Sequence, residues 1–230
     1  MYAIAKRECI QLLIGVKSII IIVLLLATAY YSGKYADSWI SVMEIEGTSE
    51  EAKSIHYAGV SVFFLLLGPL FVTTLSHDSI NRELQNRTMR FLVTKTSKSS
   101  ILLGKFLGGW MFWFICLTVS YLLIRFFSET LDVFLFFQNL SLLTYQVAFT
   151  ILLSVWISKP SLTMFLSIVI GIMTPVFALW SFASSHWLSW INVITPFYYL
   201  YRDDYTFIVI YLLTAIILYL AYWLFKRREF

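Results

Sequence analysis

YTFIVIYLLTAIILYLAYWLF, residues 205 to 225, runs for twenty-one positions without a charged side chain and stops at Lys226-Arg227-Arg228. A bilayer's hydrocarbon core is about 30 Å thick and a helix rises about 1.5 Å per residue, so roughly 20 apolar residues cross it. Reading outward from this run, five others have the same character: Ser18 to Gly33, Tyr57 to Ser76, Phe106 to Phe127, Val133 to Ile157 and Leu162 to Phe182. Composition agrees, with 60% hydrophobic residues, 13% charged and a mean hydropathy of +0.80, against about 25% charged in a soluble domain. Strands are excluded because the runs lack barrel-like alternation and an open sheet edge leaves backbone groups unsatisfied in lipid. The fold class is therefore all-α: a polytopic membrane protein of six spans in one domain over residues 1–230, with an interfacial helix over 1–17, an inner loop over 77–105 and an outer aromatic segment over 181–204.

The first run ends in Ala27-Thr28-Ala29, a pattern also found at signal-peptide cleavage sites. The charged amphipathic segment that precedes it favours a retained anchor. Cys9 and Cys116 fall at the membrane surface and within the third span, so they are read as packing residues and not as a disulfide framework.

Basic residues orient the chain, since cytoplasmic flanks retain Lys and Arg. With the N-terminus inside, the inner segments hold Lys6, Arg7, Lys17, Arg82, Arg87, Arg90, Lys95, Lys98, Lys105, Lys159 and Lys226 to Arg228, thirteen of the seventeen. The outer segments keep Lys34, Lys53, Arg125 and Arg202 but collect nine of the thirteen acids. Both termini are expected in the cytoplasm. The pI near 9.0 then reflects topology and an anionic inner leaflet, and no nucleic-acid partner is expected.

The longest inner connection, HDSINRELQNRTMRFLVTKTSKSSILLGK from His77 to Lys105, places Ile80, Leu84, Met89, Phe91 and Leu92 at roughly helical spacing. It reads as an amphipathic helix docked at the inner surface, started by Asp78 and Ser79, or as a solvated positive-inside loop. Asp78-x-Ile80-x-x-Glu83, Arg87-Thr88, Phe91-Leu92 and Ile101-Leu102-Leu103-Gly104-Lys105 resemble the inner loop of type-2 ABC exporter permeases. Length and span count also resemble the small permeases of that family that serve nitrous-oxide reductase maturation or peptide export and immunity. Two departures stand out: the family usually has Gly where this chain has Arg87, and Pro near Lys95-Thr96-Ser97. The resemblance implies that Asp78, Glu83, Arg87 and Thr88 belong to a coupling helix that contacts a separate ATPase dimer. It also implies a second permease copy or sibling, and a bacterial inner membrane as the location.

Ahead of the first span, Tyr2, Cys9, Leu12, Leu13 and Val16 share a helical face while Lys6, Arg7 and Gln11 face water, as in an interfacial helix bound to membrane lipid. In the fourth span Asn139, Gln146, Thr150 and Ser154 form one stripe, and Ser167, Gly171, Thr174 and Pro175 form another in the fifth. Each serves as helix-packing glue or lines a substrate path. Outside, Trp187, Trp190, Pro196 and Tyr198 belong to an aromatic interfacial belt, or to the outer gate that the resemblance implies.

No phosphate loop, H-E-x-x-H or G-x-S-x-G occurs. No cofactor is expected in this chain; ATP and magnesium belong on the partner ATPase. Acids are absent from the span interiors, which argues against a proton-driven transporter. An exporter subunit for a hydrophobic or amphiphilic peptide or lipid is the leading reading, with a self-contained transporter or channel and a membrane assembly factor as rivals. In a chain with Cys9 and Cys116 replaced, a single cysteine at Ser97 should resist an impermeant thiol reagent applied to intact cells and one at Glu46 should react. The reverse pattern inverts the topology.

Overall fold

The structure is a computed structural model that describes residues 1–43, 50–77, 79–128, 130–157, 159–183, 195–202 and 204–228. Helices follow in chain order: α1 (Tyr2–Ile14), α2 (Val16–Val42), α3 (Glu50–Leu66), α4 (Gly68–Ser76), α5 (Asn81–Gln85), α6 (Met89–Lys95), α7 (Lys98–Ile124), α8 (Val133–Trp156), α9 (Pro160–Ala183), α10 (Pro196–Tyr201) and, after a 3-10 turn at Tyr205–Phe207, α11 (Ile208–Arg227). No strand occurs among the described residues. Five helical segments are long and apolar enough to cross a membrane, and α3 with α4 makes a sixth when the bent pair counts as one span. The all-α polytopic expectation is met. α2 passes unbroken through Ala27-Thr28-Ala29 and continues beyond the expected Gly33 to Val42.

α8 is the hub, packed by α3, α4, α7, α9 and α11. Its start is set by Asp132, whose Oδ1 accepts from the Leu135 amide at 2.9 Å. So enclosed a helix needs partners for its polar groups, because lipid offers none. Asn139 Nδ2 donates to Ser61 Oγ and to the Tyr121 hydroxyl, both at 2.9 Å. Thr144 accepts from the Trp110 indole at 3.0 Å, and Thr150 turns its hydroxyl back to the Gln146 carbonyl. The stripe of the fourth span is thus buried and bonded inside the subunit. In the fifth, the Ser167 carbonyl accepts from Thr73 at 3.3 Å, which turns that stripe toward α4.

The second span bends by 54° between α3 and α4. Pro69, in the first turn of α4, has no N–H to return to the preceding turn. Gln146 reaches into the bend, where its Nε2 donates to the Phe64 carbonyl at 3.2 Å. A Cβ on Gly68 would stand 2.8 Å from Gln146 Oε1, so a side chain at residue 68 would push the amide from its present position. Gln146→Leu withdraws that donor from a buried carbonyl and should destabilise the chain by about 1–3 kcal/mol. Gly68→Ala should also destabilise it, but the two changes disturb one contact and should not add. Thermal unfolding in detergent, followed by tryptophan fluorescence, measures both; full additivity would mean that the bend does not depend on this contact.

Candidate functional site

Four segments that carry basic residues meet at one end of the bundle. Lys98 Nζ donates to the carbonyls of Lys226 and Arg228 at 3.1 and 2.8 Å, and Arg228 donates to the Trp156 carbonyl at 2.8 Å. Here α1 folds back onto α7. Gly104 and Gly108 make the approach possible: a Cβ at 108 would lie 2.6 Å from the Glu8 Cβ, and one at 104 would lie 3.0 Å from the Ile4 Cβ. The Gly104-x-x-x-Gly108 face of α7 is therefore packed by α1. The buried strip of α1 is Ala5 and Cys9, with Leu12 partly covered, and burial pushes the Cys9 thiol up from its ordinary value. Tyr2 and Val16, expected on that strip, are each 75% exposed. Tyr2 is the first residue of α1 and Val16 already belongs to α2.

Between the two glycines stands Lys105, only 3% exposed. Its ammonium donates to Glu8 Oε1 at 2.7 Å and to Glu83 Oε1 at 3.0 Å, and Arg7 donates to Glu83 Oε1 at 3.1 Å. Two cations and two carboxylates balance. Glu83 Oε2 has no hydrogen-bond partner. Sequence reasoning singled out Glu83 but not Arg7, Glu8 or Lys105 as its companions; these charges are far apart in sequence, and no periodicity links them.

The inner loop forms two short helices, so of the two sequence readings the structure has the docked one, split in the middle. Of the expected cap, the Ser79 half is not formed. Ser154 of α8 accepts from the amides of Ile80 and Asn81 at 3.0 and 3.3 Å, while the Ser79 hydroxyl has no partner and Asp78 lies outside the described residues. Asn81, fully buried, donates to Thr163 Oγ1 of α9 at 2.6 Å. The loop is thus fastened to α1, α7, α8 and α9.

Arg87 has a φ of 56°, the positive-φ backbone that suits glycine best. Its amide donates to the Leu84 carbonyl at 3.1 Å and the Thr88 hydroxyl donates to the Glu83 carbonyl at 3.2 Å. Together they close the end of α5, much as a glycine-based helix stop does. Arg87 and Thr88 are both exposed, and Phe91 on α6 is 73% exposed although Met89 beside it is buried. Phe91 is the functional candidate that sequence reading underrated. Its hydrophobic spacing fits a core position, and only the split between α5 and α6 turns it outward.

At the opposite end Pro196 opens α10, and Tyr198 lies beneath the Arg202 guanidinium, 5.4 Å from the ring centre. Trp187 and Trp190 lie outside the described residues. Among the described residues no cluster of His, Cys, Asp and Glu fits a metal ion.

The family model for "ABC-2 family transporter protein" matches residues 2–230. The chain belongs to the ABC-2 transporter family. No curated protein matches it. ABC-2 membership makes the chain a permease subunit and implies partnering with an ABC ATPase, so the knob formed by α5 and α6 is the part of this permease to test first.

Removing one partner from a buried ion pair leaves charge uncompensated and costs about 3 kcal/mol or more, whereas an exposed ion pair contributes under about 1 kcal/mol. Lys105→Met should therefore lower stability strongly and Arg7→Ala, whose side chain is half exposed, only slightly. Arg87→Gly relieves the positive φ and should raise stability by about 1 kcal/mol. Denaturation of the three variants in detergent checks the ranking; a loss at Arg7 as large as at Lys105 would contradict it.

Proposed function

We propose that this ABC-2 permease is the membrane-spanning half of an ATP-driven exporter in a bacterial inner membrane, with its basic end and both termini in the cytoplasm. Two copies, or one copy and a sibling permease, form a pathway for a hydrophobic or amphiphilic peptide or lipid. A separate ATPase dimer holds ATP and magnesium. The observation that carries this reading is the exposed group Arg87, Thr88 and Phe91 on a loop fastened to four other helices.

Coupling needs a surface that a partner grips and a stiff connection behind it. Phe91 supplies apolar contact area, and Arg87 and Thr88 supply polar recognition beside it. When nucleotide draws the ATPases together, displacement of the knob passes to α7 through Glu83 and Lys105, to α8 through Ser154 and to α9 through Asn81. ATP binding thereby biases the permease between two arrangements, as a ligand with different affinity for two states must. The scarcity of charge in the spans supports an amphiphilic cargo over a small ion. The polar stripe Asn139, Gln146, Thr150 and Ser154 takes the packing role in this scheme and keeps α8 attached to the bent span. Pro196 and Tyr198 remain candidates for the outer gate.

The test is co-purification of the tagged permease with its ATPase, together with transport-stimulated ATP hydrolysis. Aromatic contacts at protein interfaces often contribute about 2 kcal/mol or more, so Phe91→Ala should weaken capture at least about tenfold. Thr88→Ala should lower stimulation more modestly and, with its bond to the Glu83 carbonyl lost, stability by at most about 1 kcal/mol, whereas Phe91→Ala should keep wild-type thermal stability. Wild-type capture and stimulation in both would remove the coupling assignment. Failure to retain any ATPase with the wild-type chain would favour the self-contained transporter.

A further inference from the structure

Beside the charge cluster a cavity of about 470 Å³ opens among α1, α2, α4, α7 and α8, within the size range of small-ligand pockets. Among its lining residues, Gly109 lies about three turns from the Lys98 end of α7 and Val147 about two and a half turns from the Trp156 end of α8. The space therefore reaches from the basic end into the apolar layer, where Leu75, Val147 and Ile151 line it. Gln11, Ser18 and His77 line it where α1 gives way to α2 and the second span ends. Charge at this mouth is close to balanced. Lys105 is held by Glu8 and Glu83, Arg82 has an interaction of its own, and Lys17 stands at the rim, exposed to water.

Two buried polar side chains border this space with a group left unpaired. Ser18, 2% exposed, makes no side-chain hydrogen bond among the described residues. Its hydroxyl is not closed off as those of Ser76 and Ser79 are, and at that burial the surface it keeps belongs to the cavity. His77, 8% exposed, gives its Nδ1 hydrogen to the Thr74 carbonyl at 2.8 Å, since a carbonyl only accepts. Nε2 of the neutral ring is then a lone-pair acceptor without a donor among the described residues. Buried donors and acceptors cost free energy while unmatched. A hydroxyl meets both, donating to His77 and accepting from Ser18, and the Gln11 amide can take either role. The apolar lining beyond them suits a hydrocarbon chain.

We propose that this cavity binds a single-chain amphiphile whose head is uncharged and carries hydroxyl groups, the head at Ser18 and His77 and the chain along Val147 and Ile151. An uncharged head is favoured because the buried charges of the lining are already matched, so a charged one would lose its water without gaining a buried counter-ion. The volume is that of a small-molecule ligand, which favours one chain over two. Binding concerns this chain alone. That the cavity admits cargo from the basic end rests on the exporter reading, and the experiment omits the ATPase so that the two can fail separately.

The full chain in phosphatidylcholine nanodiscs is irradiated with a lauroyl glycerol that carries a diazirine in its acyl chain, and adducts are located by peptide mass spectrometry. Adducts should concentrate on α4, α7 and α8 around Leu75, Val147 and Ile151. Unlabelled lauroyl glycerol should displace the probe at a concentration at least about tenfold below that of methyl laurate, which lacks the hydroxyls, and glycerol alone should not displace it. Ser18→Ala removes a hydroxyl that bonds no described residue, so it should keep wild-type thermal stability while labelling of the cavity falls about fivefold. His77→Asn keeps an amide donor near the position of Nδ1 but deletes the acceptor, and should lower labelling to a similar degree. Undiminished labelling in both variants, equal displacement by methyl laurate, displacement by glycerol alone, or adducts confined to the lipid-facing sides of α2, α9 and α11 overturns the proposal.

Discussion

A single ammonium group organises the basic end of this permease. Lys105 sits at the foot of α7 with almost no access to water, and an unpaired cation there would cost several kcal/mol. Glu8 and Glu83 make the position tolerable, and Arg7 balances the second carboxylate. The two acids come from α1 and α5, so the cluster exists only when the N-terminal helix has folded back onto α7 and the loop has closed over both. Gly104 and Gly108 are the steric half of the same constraint, because side chains there would hold Glu8 away from Lys105. Packing and charge therefore specify one arrangement of three segments distant in sequence.

The rest of the bundle follows a different rule. In lipid, helices gain little from hydrophobic association and are held by close packing and by polar groups that need partners. α8 applies this along its whole length: Asn139 holds Ser61 and Tyr121, Gln146 supports the bend at Gly68-Pro69, and Ser154 receives the loop amides. A proline-induced bend is weak on its own, since it removes a backbone hydrogen bond. Here it is stable because a second helix supplies a donor at the bend.

The spans were legible in the sequence because each is a run of apolar residues whose length is dictated by bilayer thickness. Their boundaries were less so: α2 continues through Lys34 and Asp37 to Val42, since helical backbone persists beyond the apolar stretch wherever nothing stops it. Glu83 was singled out by the resemblance, and the structure places it in the charge cluster. Its partners were not, because Arg7 and Glu8 lie about a third of the chain away from it and carry no pattern of their own. Neither was the exposure of Phe91, for an apolar residue at helical spacing predicts burial until the chain direction changes at Arg87. The cap supplied by Ser154 was hidden for a similar reason: local sequence names the nearest hydroxyl, Ser79, while the fold uses one from another span.

The motif itself gains a physical reading. Glutamate, a glycine-favouring position and threonine, at 83, 87 and 88, are the parts of a helix stop whose first member also reaches back into the charge cluster. Their residue types are explained within the subunit before any partner is considered. A change at Glu83 consequently mixes two effects, loss of contact and loss of the internal tie, and activity alone does not separate them. Residues with little role inside the subunit are better reporters of the partner, and Phe91 is foremost among them. In the proposed coupling scheme stiffness and grip are divided between neighbours: Glu83 ties the loop to α1 and α7, and Phe91 is the surface offered to the ATPase. Under that scheme a displacement applied at Phe91 reaches α7 through Glu83, and α8 and α9 through the separate ties at Ser154 and Asn81.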